Sequence, residues 1–420
     1  MIYTVYFNRD EIFGDRIGHE ELEHYALVKY FSPLLRERGT LVRLVEHVKR
    51  QVDSISLVAE CLGEKNIFIS FSAPNADYLE LNSGKLFIGS IYKRSKKYYS
   101  GQVKVASDSI LRNGLQQSIA MVSTCPNSLL SIEDLHRDLP SIAIPPPLWD
   151  YYSKLNQELD ISSSSLKTDG YVISNQLKGC RAKHIKNKIP LNRKLHSVSS
   201  AIKKGNLMLA IEYLFRRGLI YFEPTTLVTE GIVYTTIIGA NNPFKSYKAI
   251  ITAFGKAFKS TANVTLIIKM AGRVRKSQKR RMLKLLKSKT CNCSIIIINE
   301  HLSQLKYEQL IRATHFVINS SCTDEIGNSL LEFMSAGKPL ISPPLSNHPS
   351  FSNENTFFMK KSDEYKASLE DQLLRSYKLV NDDPQAYYSM SKASAKSMSE
   401  YCSVKQVRPL FNEFLNQLDI

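Results

Sequence analysis

The sequence lacks cysteine pairs at metal or redox spacing. Its seven cysteines, Cys61, Cys125, Cys180, Cys291, Cys293, Cys322 and Cys402, are odd in number and scattered, with no C-x-x-C pair among them. That pattern excludes a C-x-x-C zinc or redox centre and fits reduced thiols in a cytosolic protein. No apolar run approaches the roughly 18 residues that a membrane-spanning helix needs, so any membrane contact is expected to be peripheral. The opening MIYTVYFNRDEIFGD meets charge within its first ten residues, too early for the apolar stretch of a secretory signal. No repeat recurs at a fixed short period, and no D-x-D metal motif stands in a suitable place. Acidic residues are missing from two long stretches: Lys269 to Lys289 holds ten Lys or Arg and no Asp or Glu, and Lys178 to Lys204 is likewise without them.

The chain has 420 residues, of which 43% are hydrophobic. That length exceeds what one core usually organises and predicts two domains of roughly 150 to 220 residues with a cleft between them. The formal net charge of +17 describes partners rather than fold. Nucleic acid, anionic lipid and a phosphorylated substrate would each suit it.

Along the chain, Ile2 to Phe7 reads as a buried strand, followed by a polar loop and a helix over Glu20 to Arg38 that Gly39 terminates. Further strands fit Leu41 to Val45, Asn66 to Phe71, Lys85 to Ile91, Ser118 to Ser123 and Ser141 to Ile144. Strands alternating with helices imply a parallel sheet covered on both faces, a doubly wound unit over residues 1–150. Residues 151–230, with the serine run Ser162 to Ser165, a basic stretch and an amphipathic helix near Leu195 to Arg217, are expected to form an extended interdomain connection. A second doubly wound unit is expected over 231–395. It has strands at Ile232 to Ile238, Asn263 to Lys269, Ser294 to Ile298, His315 to Asn319 and Lys338 to Ser342, with helices at Ser246 to Phe258, about Ser277 to Ser288, and Asn328 to Ala336. The helical residues 396–420 are expected to cross back onto the first unit.

Chemistry is concentrated between His315 and Pro344. The order there is strand, polar loop, glycine, helix, glycine, strand, and ligands of open parallel sheets collect at such strand ends. Asp324, Glu325, Ile326, Gly327, Asn328 and Ser329 form the loop and helix start. Gly327 allows close approach of backbone to a ligand, and the first amides of the helix favour an anion. Glu332, about one turn inside, can accept both hydroxyls of a ribose, because the two oxygens of a carboxylate match a vicinal diol. Asp324 can do the same for sugar hydroxyls. The same residues also fit a buried helix with an incidental exposed Glu and an acidic loop.

The spacing from Asp324 to Glu332, with Gly327 between and Leu-Leu-Glu-Phe-Met-Ser-Ala-Gly-Lys-Pro around its end, resembles the paired-acid motif of family-4 (group 1) glycosyltransferases. In that motif the first acid is Glu; Asp324 is shorter by one methylene. Ile238 to Phe254, IGANNPFKSYKAIITAF, resembles the family's segment for the donor diphosphate, with Lys245 on the lysine position and Ala240 where an arginine is frequent. Lys269, in TLIIKM, either replaces that arginine or is a solvated lysine at a strand end. Weaker similarity, in AMVSTCPNSLLSI, IPPPLW and the closing EYCSVKQVRPLFNEFL, extends over most of the chain.

The resemblance implies a GT-B fold of two Rossmann-like domains facing a cleft. It also implies transfer of a sugar, with retention of configuration, from a nucleoside-diphosphate sugar to a saccharide acceptor. The relatives build bacterial surface polysaccharide of O-antigen or capsule type, often on lipid-linked acceptors. Asp324 would contact the donor sugar, Glu332 the ribose, and Lys245 and Lys269 the diphosphate, with no metal or other cofactor. On the acceptor side His19 and Glu20, at a loop-to-helix junction, and Ser72 and Asn75 after a strand are candidates; charges entering a helix are also ordinary solvated residues. The expected location is cytoplasmic, at the inner face of a membrane if the basic stretches bind anionic lipid. Asp324 and Ala240 also admit a binding or scaffold subunit of this fold with reduced activity. The basic stretches admit a nucleic-acid-binding protein, although no helix-turn-helix, RNA-recognition or zinc-finger pattern accompanies them, and no nucleic-acid partner is expected.

Overall fold

The computed structural model describes residues 2–8, 19–46, 66–70, 85–89, 118–124, 138–156, 163–168, 171–174, 225–239, 247–271, 274, 278, 281–282, 285–286, 291–299, 302–319, 327–344, 350–360 and 365–419. The chain opens with β1 (Ile2–Asn8), α1 (His19–Arg38) and β2 (Thr40–Glu46), then β3 (Asn66–Ser70), β4 (Lys85–Gly89), β5 (Ala120–Ser123) and β6 (Ser141–Ala143). These strands form one sheet in the order β2-β1-β3-β4-β5-β6, parallel throughout. In α1, Leu27, Phe31, Leu34 and Leu35 recur at helical spacing and bury against Leu86 and Ile88 of β4 and Ala120 and Val122 of β5. Pro33 lies within the helix on its exposed side.

Between the two large sheets run α2 (Trp149–Tyr152), a 3-10 turn (Ser153–Leu155), β7 (Ser163–Thr168), β8 (Tyr171–Ser174) and β9 (Thr225–Glu230). Ser163 to Ser165 of the serine run are therefore strand. β7 pairs antiparallel with β9, with the buried Leu166 opposite the buried Leu227. The helix expected near Leu195 to Arg217 lies outside the described residues.

The second sheet contains β10 (Ile232–Gly239), β11 (Val264–Ala271), β12 (Ser294–Asn299), β13 (Phe316–Ile318), β14 (Leu340–Ser342) and β15 (Thr356–Phe358). Its order is β15-β14-β13-β10-β11-β12-β8, parallel except for β8, which adds antiparallel to β12. Its central strands are apolar on both faces, because helices cover both. Ile232, Tyr234 and Ile238 pack towards Ile250, Phe254 and Phe258, in and just after α3 (Tyr247–Ala257). Val233 packs towards Leu310 of α4 (Gln304–Ala313) and Leu331 of α5 (Asn328–Ser335). Of the expected basic helix, Gln278, Arg281, Met282, Leu285 and Leu286 are helical, with Met282 and Leu286 buried.

The chain ends in α6 (Tyr365–Asp382), α7 (Pro384–Cys402) and α8 (Val404–Gln417). Asp383 caps α7, its Oδ1 accepting from the Ala386 amide at 2.9 Å, with Pro384 at the first helical position where its missing N–H costs nothing. After Cys402 the chain turns back. Val407, Phe411, Phe414 and Leu415 of α8 enter the core of the first sheet. Arg408 pairs with Glu37 of α1 at 2.9 Å, and the Arg38 guanidinium donates to Asn416 Oδ1 at 2.7 Å. The first amide of α8, on Val404, donates to Asp150 Oδ2 of α2 at 2.6 Å. The outgoing and returning passages between the two units are thereby fastened to each other. Among the described residues no helix is long and apolar enough to cross a membrane.

Candidate functional site

A parallel sheet opens a crevice where neighbouring strands send their connections in opposite directions. In the second sheet that point falls at β10 and β13. From β10 the sheet continues through β11 and β12 on one side and through β13, β14 and β15 on the other, with Tyr234 opposite Phe316 and Thr235 opposite Val317. The chain leaving β10 leads to Lys245, and the chain leaving β13 leads to Asp324, Glu325 and Ile326. Those four residues lie outside the described residues, as do Ala240, Ser72 and Asn75. In the first sheet β1 is flanked by β2 and β3, so His19 and Glu20 at the start of α1, and the segment after β3, follow the equivalent point. The side chains of His19 and Glu20 also lie outside the described residues.

His315, at the head of the segment singled out by the sequence, has a structural role. Its Nδ1 accepts from the Val233 amide at 3.0 Å and its own amide donates to the Val233 carbonyl at 2.8 Å, while Tyr387 of α7 donates to its carbonyl at 3.0 Å. These bonds fix the start of β13 against β10 and α7. Gly327 occupies the N-cap position of α5 with φ −73 and ψ 145, ordinary extended backbone, so its contribution is the missing side chain rather than an unusual conformation. Asn328 and Ser329 follow half-buried in the first turn, whose amides have no partner earlier in the helix. Downstream, Gly337 does need its freedom. Its φ is +72, and an added Cβ would stand 2.5 Å from Asn156 Oδ1.

Lys269 departs from the strand-end position expected of it. β11 continues past it to Ala271, because Met270 and Ala271 keep pairing in register with Ile238 and Gly239 of β10. The side chain is 6% exposed, and its Nζ donates to the Met270 carbonyl at 2.7 Å.

Glu332 is also buried, at 6% exposure. Its Oε1 accepts from the Tyr30 hydroxyl of α1 at 2.8 Å, and its Oε2 accepts a short hydrogen bond from the Tyr307 hydroxyl of α4. Tyr30 Oη also lies 3.0 Å from Tyr152 Oη. Because the single Tyr30 proton is directed to the carboxylate, Tyr152 is the donor in that second bond. The Lys29 ammonium lies over the Tyr151, Tyr30 and Tyr152 rings, 4.9, 5.5 and 5.7 Å from their centroids, and donates to Gln304 Oε1 at 3.1 Å. Burial, then the neighbouring Glu332 charge, raises the Tyr30, Tyr152 and Tyr307 phenols above their ordinary range, so all three remain neutral donors. Burial lowers the Lys29 ammonium, a shift that Glu332 and Glu308 oppose.

Sequence reasoning identified Glu332 but none of the groups bonded to it. For Tyr307 a signal exists: Tyr307, Leu310, Ile311 and Thr314 recur at helical spacing. For Tyr30, helical spacing with Leu27 and Leu34 records the burial of the ring but not the partner of its hydroxyl. Among the described residues no three His, Cys, Asp or Glu side chains gather as a metal-binding set.

No protein-family model matches the sequence, and no curated protein does. Solved structures do. The chain is similar to Anabaena HepE in complex with UDP-glucose, with a TM-score of 0.59 and 11% identity over 99% of this chain and 100% of that one. It is similar to the sucrose-phosphate synthase of Thermosynechococcus elongatus, with a TM-score of 0.60 and 10% identity over 100% of this chain and 99% of that one. A glycosyltransferase from Rickettsia africae gives a TM-score of 0.53 and 11% identity over 99% and 98% of the two chains. The fold is thus GT-B, two Rossmann-like α/β units built on parallel sheets.

Proposed function

We propose that this GT-B chain is a glycosyltransferase that moves a sugar from a nucleoside-diphosphate sugar to a saccharide acceptor. The observation that carries the reading is the pairing of β10 with β13 at the switch point of the second sheet. Strand order alone directs the segment bearing Lys245 and the segment bearing Asp324 to the same end of adjacent strands. A lysine beside the amino end of a helix suits a diphosphate. The paired acids suit hydroxyls, Asp324 those of the sugar and Glu332 those of the ribose. HepE, which shares the fold, is bound to UDP-glucose.

In such a reaction the bond from the anomeric carbon to the diphosphate breaks, and negative charge grows on the leaving group as the sugar becomes oxocarbenium-like. Fixed positive charge and helix amides stabilise that charge in a closed cleft without reorganising. Lys245 supplies the cation and the first turn of α5 the amides; no metal or other cofactor is assigned. Transfer proceeds with retention, onto an acceptor held against the first unit near His19, Glu20, Ser72 and Asn75. The acceptor is a lipid-linked saccharide of O-antigen or capsule type, as in the family-4 enzymes the sequence resembles. On this reading the enzyme is cytoplasmic, and its basic stretches hold it at an anionic membrane surface.

Thermal-shift measurements with UDP, ADP and GDP test the donor assignment: one of them raises the melting temperature, and none doing so would remove the basis of the reading. Lys245→Ala then lowers kcat/KM about a hundredfold or more, as expected on removing a group that stabilises the leaving charge. A second reading, a GT-B binding subunit with reduced activity, is favoured by the two tyrosine hydroxyls already seated on Glu332. Turnover of a nucleotide sugar by the wild-type chain excludes it.

A further inference from the structure

Among the described residues each oxygen of Glu332 accepts a tyrosine hydroxyl, Tyr30 on one and Tyr307 on the other. A vicinal diol would present the same pattern, one hydroxyl to each carboxylate oxygen. Glu332 is 6% exposed and both its oxygens are occupied by phenols, so a ribose cannot reach it while both phenols remain in place. The phenols also come from different parts of the molecule. Tyr307 belongs to α4, on the second sheet. Tyr30 belongs to α1, whose Leu27, Phe31, Leu34 and Leu35 pack on the first sheet.

We propose that Tyr30, Glu332 and Tyr307 form an autoinhibitory latch between the two units, which the ribose diol of a nucleotide opens by exchanging its hydroxyls for those of the tyrosines. The proposal rests on the donor reading given above. Exchange conserves hydrogen bonds at the carboxylate, so its free-energy change is set mainly by what becomes of the displaced phenols. The two differ in that respect. Tyr30 has Tyr152 Oη 3.0 Å away and, once released from Glu332, can reverse that bond and donate to it. For Tyr307 the hydroxyl contact in the described residues is Glu332 itself. Tyr30 is therefore the member that yields first. Its departure breaks this hydrogen bond between α1 and α5, so occupation of the nucleotide site and attachment of the first unit at this point oppose each other.

Removing the Tyr30 hydroxyl weakens the latched state and leaves the ribose-bound state unaffected, which fixes the sign of the test. Affinities of wild type and Tyr30→Phe are measured by calorimetry for the nucleoside diphosphate that stabilises the protein and for its 2′,3′-dideoxy counterpart. Tyr30→Phe binds the ribonucleotide about tenfold more tightly than wild type, the scale of one hydrogen bond to a charged group, and binds the dideoxy form unchanged. Equal affinities of variant and wild type for the ribonucleotide overturn the latch. So does an identical change for both nucleotides, which is what altered packing alone would produce. Should Tyr30→Phe not fold, Tyr307→Phe carries the same comparison with the same expected sign. A wild-type protein that binds no nucleoside diphosphate overturns the donor reading itself, an outcome distinct from a wild type that binds and a variant that gains nothing.

Discussion

Burial pushes the Lys338 ammonium down to about 8, with the Arg312 charge adding to the effect. The unfolded chain holds that proton up to its ordinary value of 10.5, so between about pH 8 and 10.5 the unfolded state binds more protons here and stability rises with pH. Below about pH 8 the full penalty applies. Lys338→Met is therefore expected to stabilise the protein at pH 7 by on the order of 3 kcal/mol, with the gain vanishing as pH passes 10.5. Urea denaturation of both proteins at pH 7 and pH 10 checks the magnitude and its decline. The tyrosines around Glu332 act in the opposite direction. Their raised phenols stay protonated in the folded state while unfolded ones ionise above about pH 10, so their contribution falls as pH climbs beyond that point.

At the scale of elements, α5 is held at both ends by features that the sequence displays, Gly327 before it and Gly337 after it. The second is the stricter. Gly337 adopts φ +72, and its Cα faces Asn156 Oδ1 and Ser391 Oγ, which an added Cβ would meet at 2.5 and 2.8 Å. Gly337→Ala is expected to cost about 1–2 kcal/mol from the left-handed backbone alone and more from the contacts, read as a lower urea midpoint with an unchanged slope. The strands of the first sheet, β10 to β14 of the second, the first helix and α5 were legible because their apolar residues repeat at the period of the element, whereas the edge strands β8 and β15 were not read. The serine run was not: its polar residues look like a connection, and only pairing with β9, distant along the chain, makes Ser163–Thr168 a strand. Lys269 illustrates the same limit, since the extension of β11 past it depends on β10.

At the scale of the molecule, the returning chain joins the two units through an apolar contact. Phe411 of α8 is fully buried, its ring centroid 5.5 Å from that of Phe31 in α1. Phe411→Ala is expected to remove about 3–5 kcal/mol from the first unit. In a denaturant titration this separates an early transition of the first sheet from a later one of the second, because two units no longer coupled unfold independently. Loss of the exposed Arg408–Glu37 pair would do far less, since both partners remain solvated. The sequence by itself determined the alternation of strands and helices, the glycines that bound α5 and the positive charge of the chain, since each depends on neighbours a few positions apart. It also made Glu332 a candidate for the ribose. What only the tertiary structure decided is the company that carboxylate keeps. Tyr30 lies 302 positions away along the chain, and no local period records which hydroxyl is brought to a buried oxygen when two sheets and their helices pack.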